Sequence, residues 1–319
     1  MNQPAEDLLI RRQRVIDLGA NDRTLRREVH SGRLVRVVPG AYVKAGLWNE
    51  LKPHEQHRLK VLATARRMRS EVVFSHHAAA ALWGIRMLRS WPKTVDVTVE
   101  RATGGRSDGL LRRHCRGFER VEVTKLDGLL VTTPAQTVVD LALRFRFQDA
   151  VVAMDSALHH KRSPAALTTR DDVLQRVLAS EGTRGWRRAL VAGDFATHLS
   201  DSAEESHSRV QIHLLGFPAP ELQREFRDAR GFVAQTDFFW REFDHVGECD
   251  GRAKYTDPAL RNGRTAEEVL VAERNRENRL RRLVKGMSRW EPADLYPAAK
   301  LFRILTEAGL PSSGARLSR

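Results

Sequence analysis

Two short helical segments followed by a β-hairpin occupy the first 43 residues, and this order constrains the fold more than any other feature of the chain. After a first run of helical periodicity, Asn21 or Asp22 can supply the N-cap of a second helix, which closes at Ser31-Gly32. Residues 33–43 are rich in β-branched side chains and are divided by Pro39-Gly40, a pattern typical of a hairpin. The segment therefore predicts a helix pair with a wing, that is, a winged helix.

Basic residues are concentrated in the same part of the chain. The protein has 54 Lys+Arg and 40 Asp+Glu, a net charge of +14, of which residues 1–125 contribute +12 and residues 126–319 only +2. An excess of this size favours a polyanionic partner through phosphate contacts and counterion release. Nucleic acid is the expected partner, with its docking surface mainly in the first 125 residues. The alternative explanation of the charge, which remains open, is that the protein comes from an arginine-rich proteome in which many proteins have basic surfaces.

Length and composition indicate a folded protein of two or three domains. The 319 residues are 41% hydrophobic and 29% charged, a balance that can bury a core. The longest apolar run falls far short of the ~20 residues of a membrane span, and residues 1–7 do not resemble a secretion signal. Only Cys115 and Cys249 occur, which excludes a disulfide scaffold and a four-cysteine zinc site. We expect a cytoplasmic protein with no membrane partner.

The N-terminal residues carry a family resemblance. The stretches that carry it are Thr24-Leu25-Arg26-Arg27 and Ser31-Gly32-Arg33-Leu34-Val35-Arg36-Val37-Val38-Pro39-Gly40-Ala41-Tyr42-Val43. They resemble the N-terminal winged-helix domain of AbiEi-type antitoxins of type IV toxin–antitoxin systems. The resemblance implies two partners, double-stranded DNA and a cognate toxin.

The same resemblance implies a set of DNA-binding residues. The helix of residues 21–31 would lie in the major groove and the wing would meet the DNA backbone. The implied contacts to bases or phosphates come from Arg23, Arg26, Arg27 and His30 on the helix, and from Arg33 and Arg36 on the wing. The alternative is that Arg26 and Arg27 form the solvated face of a short helix.

In the middle of the chain, residues 72–84 predict a helix rich in small residues after a Ser75 cap, and residues 94–99 alternate as a strand. These stretches resemble the second part of the same antitoxin-like architecture. Adjacent histidines on a helix point about 100° apart, so a shared metal ion is not expected at His76-His77 or His159-His160. Residues 182–188 contain two glycines and three arginines. They fit a loop that precedes a helix, with contact to a phosphate as the second interpretation.

Acidic residues fall at informative places in the last third. Asp237 lies at the end of one predicted strand, and Glu248 and Asp250, two residues apart, face the same side of the next. Carboxylates so placed suit Mg²⁺ and a scissile phosphate, and Lys254 could orient the nucleophile or add a positive charge. The rival hypothesis makes Asp237 and Asp250 turn residues and pairs Glu248 with an arginine.

A second resemblance covers about 110 residues of this region. Its motifs are Ser202, Glu205-Ser206 and Arg209; Gly216-Phe217-Pro218-Ala219-Pro220 and Gln223; Thr236-Asp237-Phe238 and Trp240; Glu248, Asp250-Gly251-Arg252 and Lys254-Tyr255; and Glu273-Arg274-Asn275-Arg276-Glu277 with Leu280-Arg281. In this order they resemble the PD-(D/E)XK nuclease-like domain of the very-short-patch-repair type.

This resemblance assigns roles and also shows two departures. It makes Asp237 and Glu248 the carboxylates of a Mg²⁺ or Mn²⁺ site, Glu205 the helical acid and Gln223 a group outside the direct ligands. Asp250 replaces the usual lysine of the motif, so Lys254 would have to reach the site from four residues beyond. The last family strand, around residues 284–290, also lacks clean β-branched alternation.

Together these observations predict a multidomain α+β protein. The predicted segments are a winged-helix DNA-binding domain (1–50), a middle α+β antitoxin-like region (51–195) and a restriction-endonuclease-like α/β domain (196–319). Two functions remain open at this point. One is a metal-dependent DNA endonuclease that the winged helix directs to its target, and the other is a non-catalytic transcriptional regulator of the antitoxin type.

Overall fold

The chain forms two compact units of mixed α and β structure. The computed structural model describes residues 5–17, 21–68, 71–100, 107, 109–115, 117–161, 165–249 and 265–314. One unit comprises Met1–Phe145 and Leu167–Leu190, and the other Arg146–Ala166 and Val191–Arg319. Across the described ranges, no helix combines the length and the apolar character that crossing a membrane requires.

Helices and strands alternate irregularly along the chain. The helices are α1 (Arg12–Asp17), α2 (Asp22–His30), α3 (Ala45–Glu50), α4 (Pro53–Ala65), α5 (His76–Trp83), α6 (Pro134–Ala142), α7 (Phe147–Leu158), α8 (Arg170–Leu178), α9 (Trp186–Phe195), α10 (Ala203–Leu214), α11 (Ala266–Leu280) and α12 (Ala299–Glu307). The strands are β1 (Ile10–Arg11), β2 (Leu34–Val38), β3 (Ala41–Lys44), β4 (Val73–Phe74), β5 (Val95–Val99), β6 (Leu111–Cys115), β7 (Val123–Leu126), β8 (Leu129–Thr132), β9 (Glu221–Asp228), β10 (Gly231–Trp240), β11 (His245–Cys249) and β12 (Gly286–Trp290).

The first unit begins with the predicted helix and hairpin. Strands β2 and β3 pair antiparallel on either side of Pro39-Gly40, and β1 adds to β3 to complete a three-stranded sheet. Gly40 has a φ of +83°, which suits a residue without a Cβ in this turn. The short strand β1 was not predicted from the sequence, because two residues carry too little periodicity to be recognised.

A second, five-stranded sheet has the order β6-β5-β4-β8-β7. Its central strand β4 pairs antiparallel with β5 and parallel with β8. One apolar core joins this sheet to the N-terminal segment, with buried members that include Leu9, Val37, Val43, Leu59, Val61, Phe74, Ala78, Val95 and Val131. The predicted segment 1–50 therefore shares its core with the residues that follow, and the structure does not separate the two.

The second unit contains a four-stranded sheet of order β12-β11-β10-β9. Strands β9, β10 and β11 form an antiparallel meander, while β12 lies parallel to β11. The apolar core that includes Trp240, Trp290, Ile212 and Leu301 places α10 and α12 on one face of the sheet. The core that includes Phe239, Val246 and Leu280 places α11 on the opposite face.

Residues 146–166 and 191–195 of the predicted middle region belong to the second unit. The reason is a buried ion pair between α7 and α10, in which Arg209 Nη2 lies 2.9 Å from Asp155 Oδ2. The backbone N–H of Thr197 also donates to Asp155 Oδ1 at 2.8 Å. Asp155 is fully buried, so its charge requires these partners. Local sequence patterns carry no signal for a contact over 54 positions.

Candidate functional site

The exposed face of α2 is the first candidate site. Arg23, Arg26, Arg27 and His30 stand at positions i, i+3, i+4 and i+7 of the helix, and all four are exposed. This spacing places them on one side of the helix. Leu25, on the opposite side, is 3% exposed and anchors the helix to the unit. The structure thus brings together on one side of this helix the four residues for which the resemblance implies DNA contact.

The beginning of α2 is fixed by two side chains. Asn21 Oδ1 accepts a hydrogen bond from the backbone N–H of Thr24 at 3.0 Å, which is an N-cap. The guanidinium of Arg12 on α1 donates to both oxygens of Asp22, at 2.7 and 2.6 Å. This hydrogen bond lowers the pKa of the Asp22 carboxyl below its usual value. These contacts orient the two helices relative to each other.

The two arginines of the hairpin, Arg33 and Arg36, are both exposed, and Arg33 has an acidic partner. Arg33 donates to both oxygens of Glu28, at 2.6 and 2.7 Å, so its charge is largely balanced within the unit. Arg36 is exposed on β2. Arg67, which follows the end of α4, stabilises the turn between β2 and β3, because its Nη1 donates to the carbonyl oxygen of Pro39.

The carboxylates of the second unit lie on neighbouring strands. The register that pairs Phe238 with Gly247 places Asp237 opposite Glu248. Facing residues of an antiparallel pair point to the same side of the sheet, here the side covered by α11. Glu248 lies on β11 as predicted, whereas Asp237 lies inside β10, which continues to Trp240, and not at the end of its strand. The surroundings of the two carboxylates, however, differ.

Glu248 is 5% exposed and its carboxylate is surrounded by arginines. Arg276 on α11 donates to Oε1 and Oε2 at 3.1 and 3.2 Å, and Arg289 on β12 donates to Oε2 at 2.9 Å. Glu273 completes the cluster, accepting from Arg276 at 2.6 Å and from Arg289 at 3.2 Å. Hydrogen bonds to these carboxylates raise the pKa of Arg276, against the opposing effect of its burial.

This arrangement does not fit a divalent metal ion as it stands. The guanidinium cations of Arg276 and Arg289 already neutralise the Glu248 carboxylate at 2.9–3.2 Å, and their positive charges would repel a divalent cation at the same place. Within the described part of the chain, no group of three or more His, Cys, Asp or Glu side chains is placed to hold a metal. The predicted residues Asp250 and Lys254 lie outside the described residues.

Asp237 and Glu205 are found near the buried thiol of Cys249. Asp237 Oδ2 accepts a hydrogen bond from the backbone N–H of Cys249 at 2.9 Å. Burial raises the pKa of the Cys249 thiol to about 12, with additional contributions from the negative charges of Asp237, Glu204 and Glu205. The carboxylates of α10 and of β10 thus act on the same thiol, whereas Glu248 is engaged by arginines.

Glu205 and Gln223, predicted as members of one site, are in direct contact. Gln223 Nε2 donates to Glu205 Oε2 at 3.1 Å, and the same oxygen accepts from the backbone N–H of Asp201 at 2.9 Å. Lys161 Nζ lies 2.6 Å from Asp201 Oδ2 and 3.4 Å from Gln223 Oε1. Glu205 therefore serves in a polar network that joins α10 to β9.

A buried histidine and aspartate network in the first unit was not predicted. Asp96 on β5 is fully buried, with His77 Nδ1 3.0 Å from Oδ2 and His114 Nε2 2.8 Å from Oδ1. The ring of His76 stacks on that of His114, with 3.7 Å between ring centroids. The available signal was Asp96 itself, an acid inside a Val-rich strand.

Comparison with known proteins gives relatives without an assigned function. The uncharacterized proteins MT2308 of Mycobacterium tuberculosis strain CDC 1551 / Oshkosh and Rv2248 of strain ATCC 25618 / H37Rv are similar to this chain. Each is 28% identical over 235 residues, which cover 73% of this chain and 79% of the relative. No protein-family model matches the sequence.

Proposed function

We propose that this protein binds double-stranded DNA, with α2 entering the major groove and the β2–β3 hairpin acting as a wing. The observation that carries the proposal is the exposed face of Arg23, Arg26, Arg27 and His30 opposite the buried Leu25. The major groove admits an α-helix, and arginine recognises guanine edges and phosphates through its planar fork. The excess of positive charge in residues 1–125 supports the same surface.

The test measures the affinity of the protein for a DNA duplex that the wild type selects from a random library. It compares two double variants, each of which replaces a pair of adjacent arginines. Arg26→Ala with Arg27→Ala removes two charges from the α2 face. Arg281→Ala with Arg282→Ala removes two charges from the residues that directly follow α11, and this double variant is the matched control. We expect at least a tenfold loss of affinity in fluorescence anisotropy for the first pair, since a contact to a base edge contributes about 1–3 kcal/mol. Equal losses in both pairs would contradict the assignment to α2.

The salt dependence separates two kinds of contact. If Arg26 and Arg27 meet phosphates, the slope of log affinity against log salt falls by about 2 in the double variant, because each phosphate contact contributes roughly 0.9. The loss is then similar for all duplex sequences. If they read bases, the loss is larger on the selected duplex than on a scrambled duplex.

We infer that the second unit takes no part in DNA hydrolysis and that the protein is a regulator of the antitoxin type, for which a cognate toxin would be the partner. Support comes from Glu248, whose carboxylate is held by Arg276 and Arg289. The replacement of the usual motif lysine by Asp250 supports the same conclusion.

A metal-dependent DNA endonuclease is the second candidate function. The observation that favours it is the element order α10-β9-β10-β11-α11-β12, with β12 parallel to β11, together with the facing positions of Asp237 and Glu248. Plasmid nicking in Mg²⁺ or Mn²⁺ decides between the candidates. Nicking that Asp237→Ala abolishes, with a melting temperature that Mn²⁺ raises only in the wild type, would establish the nuclease. The regulator predicts neither nicking nor a metal response.

A further inference from the structure

A cavity of about 550 Å³ in the first unit lies among residues that the proposed function does not use. Four of the residues that line it are arginines, Arg113, Arg144, Arg184 and Arg188. None of its described lining residues is acidic. Like charges gathered around one cavity repel one another, and a bound anion removes this repulsion.

The floor of the cavity is formed by the buried histidines of the Asp96 network. His76 and His114 line the cavity, and Asp96 lies behind His114 as its hydrogen-bond partner. Nε2 of the His114 ring donates to Asp96, and Nδ1 of the same ring lies 3.4 Å from Arg144 Nη1. Both oxygens of Asp96 are engaged by imidazoles, so this carboxylate holds the floor in place.

The loop before α9 supplies one rim of the cavity. Gly185 has a φ of +91°, and a Cβ at this position would collide with the carbonyl oxygen of Leu143. The loop backbone can therefore lie directly against the end of α6. Arg188 Nη2 donates to the same carbonyl at 3.3 Å, and Thr183 and Arg184 line the cavity beside it.

We propose that this cavity binds the phosphate chain of a nucleoside di- or triphosphate. Arginine forks bind phosphate oxygens in a bidentate manner, and several arginines match the several charges of a polyphosphate. The volume lies within the ~300–1,000 Å³ of small-molecule sites. None of the described lining residues is Phe, Tyr or Trp, so the phosphates rather than a stacked base provide the recognition. The site does not depend on DNA binding by α2.

Cys115 provides a direct readout, because this exposed thiol lines the cavity while Cys249, the other cysteine, is buried. The full-length protein is alkylated with iodoacetamide, a neutral reagent, and modification of the Cys115 peptide is followed by mass spectrometry. Inorganic tripolyphosphate, ATP, GTP and a DNA duplex are compared at constant ionic strength set with sodium chloride. We expect tripolyphosphate and the nucleotides to slow alkylation at least fivefold.

Substitutions of arginines that line the cavity test whether the phosphate chain binds there. Arg184→Gln and Arg188→Gln should each weaken tripolyphosphate binding at least fivefold in titration calorimetry and remove the protection of Cys115. Arg187→Gln, an exposed neighbour that does not line the cavity, should retain both. The proposal is overturned if tripolyphosphate and nucleotides leave alkylation unchanged, if only the duplex protects Cys115, or if Arg187→Gln loses as much as the two cavity variants. Duplex affinity through α2 should be unchanged in Arg184→Gln, so this result is independent of the DNA-binding test.

Discussion

Glu248 shows how the partners of a side chain decide its role. Its position on β11 suits a metal carboxylate, yet Arg276 and Arg289 reach it from α11 and β12, which are 28 and 41 residues away in sequence. Because Glu248 is only 5% exposed, its charge needs a buried partner, and these two guanidinium groups neutralise it. The rival sequence hypothesis, an ion pair between Glu248 and an arginine, describes this arrangement.

Removal of the Glu248 charge should destabilise the second unit. Glu248→Gln leaves two partly buried guanidiniums without one of their carboxylates, and we expect a loss of about 3 kcal/mol in the free energy of unfolding. Urea unfolding with EDTA and with Mn²⁺ should give the same loss. The exposed Glu242→Gln is the control and should change stability by less than about 0.5 kcal/mol. A loss confined to the Mn²⁺ samples would instead identify Glu248 as a metal ligand.

His57 should make the protein sensitive to mild acid. Burial lowers the pKa of His57 to about 4, and the nearby His77 adds to this effect. In the unfolded chain the pKa is about 6.5, so between pH 6.5 and 4 the unfolded state binds more protons than the folded state. Stability is therefore lost as the pH falls through this window, by up to roughly 3 kcal/mol from this residue.

His57→Phe should reduce this acid sensitivity, because a phenyl ring can pack against Trp91 in place of the imidazole, whose centroid lies 5.1 Å from the indole ring. The measurement is the free energy of unfolding at pH 7 and pH 4.5. His30→Gln, on the exposed face of α2, is the control and should retain the wild-type difference. His207, whose burial also lowers its pKa to about 4, accounts for part of the remaining loss. An undiminished acid loss in His57→Phe would contradict the assignment.

At the level of elements, two glycines of the loop before α9 face different surroundings. Gly182 and Gly185 both have positive φ, at +77° and +91°. A Cβ on Gly182 would meet no atom within 4 Å, whereas a Cβ on Gly185 would collide with the Leu143 carbonyl. The local sequence does not show which of the two glycines is the more strongly required. Only the packing of the loop against α6 distinguishes them.

The two glycines therefore form a matched pair of variants. Gly182→Ala should cost about 1 kcal/mol, the usual penalty of a left-handed backbone. Gly185→Ala should cost at least twice as much, since the loop must also move away from α6. Thermal unfolding monitored by circular dichroism gives both values. Equal costs would show that the loop does not lie against Leu143.

Strand β12 forms although its own residues have little intrinsic preference for a β-strand. Residues 286–290 lack β-branched alternation, and the sequence favours a weak or altered strand there. The structure nevertheless pairs all five residues in parallel with β11, from His245–Gly286 to Cys249–Trp290. Trp290 is 2% exposed and its ring stacks on Phe238. Burial and pairing to a neighbouring strand outweigh propensity here.

At the scale of the whole molecule, each unit has its own core. Leu59 belongs to the core of the first unit and Leu301 to a core of the second, and both are at most 1% exposed. Leu59→Ala and Leu301→Ala should each cost about 2–5 kcal/mol by leaving a cavity. Differential scanning calorimetry should show each variant lowering a different transition. A single transition that both variants lower equally would show that the units unfold together.

The sequence by itself determined the features that depend on neighbours within a few positions. These are a helix N-cap at Asn21 or Asp22, the basic face of α2 and the hairpin turn at Pro39-Gly40. Each follows from the period of a helix or strand, or from the geometry of a turn. The concentration of positive charge in the first 125 residues is also a property of the sequence alone.

Only the tertiary structure decided which distant residues meet. It placed residues 1–50 in a common core with the next strands, and it surrounded Glu248 with arginines from α11 and β12. It also gathered Arg113, Arg144, Arg184 and Arg188 around the histidine-lined cavity. The physical reason is that such contacts depend on sheet order and helix packing, which are set by the burial of the whole apolar surface, and periodicity specifies only the face that an element buries.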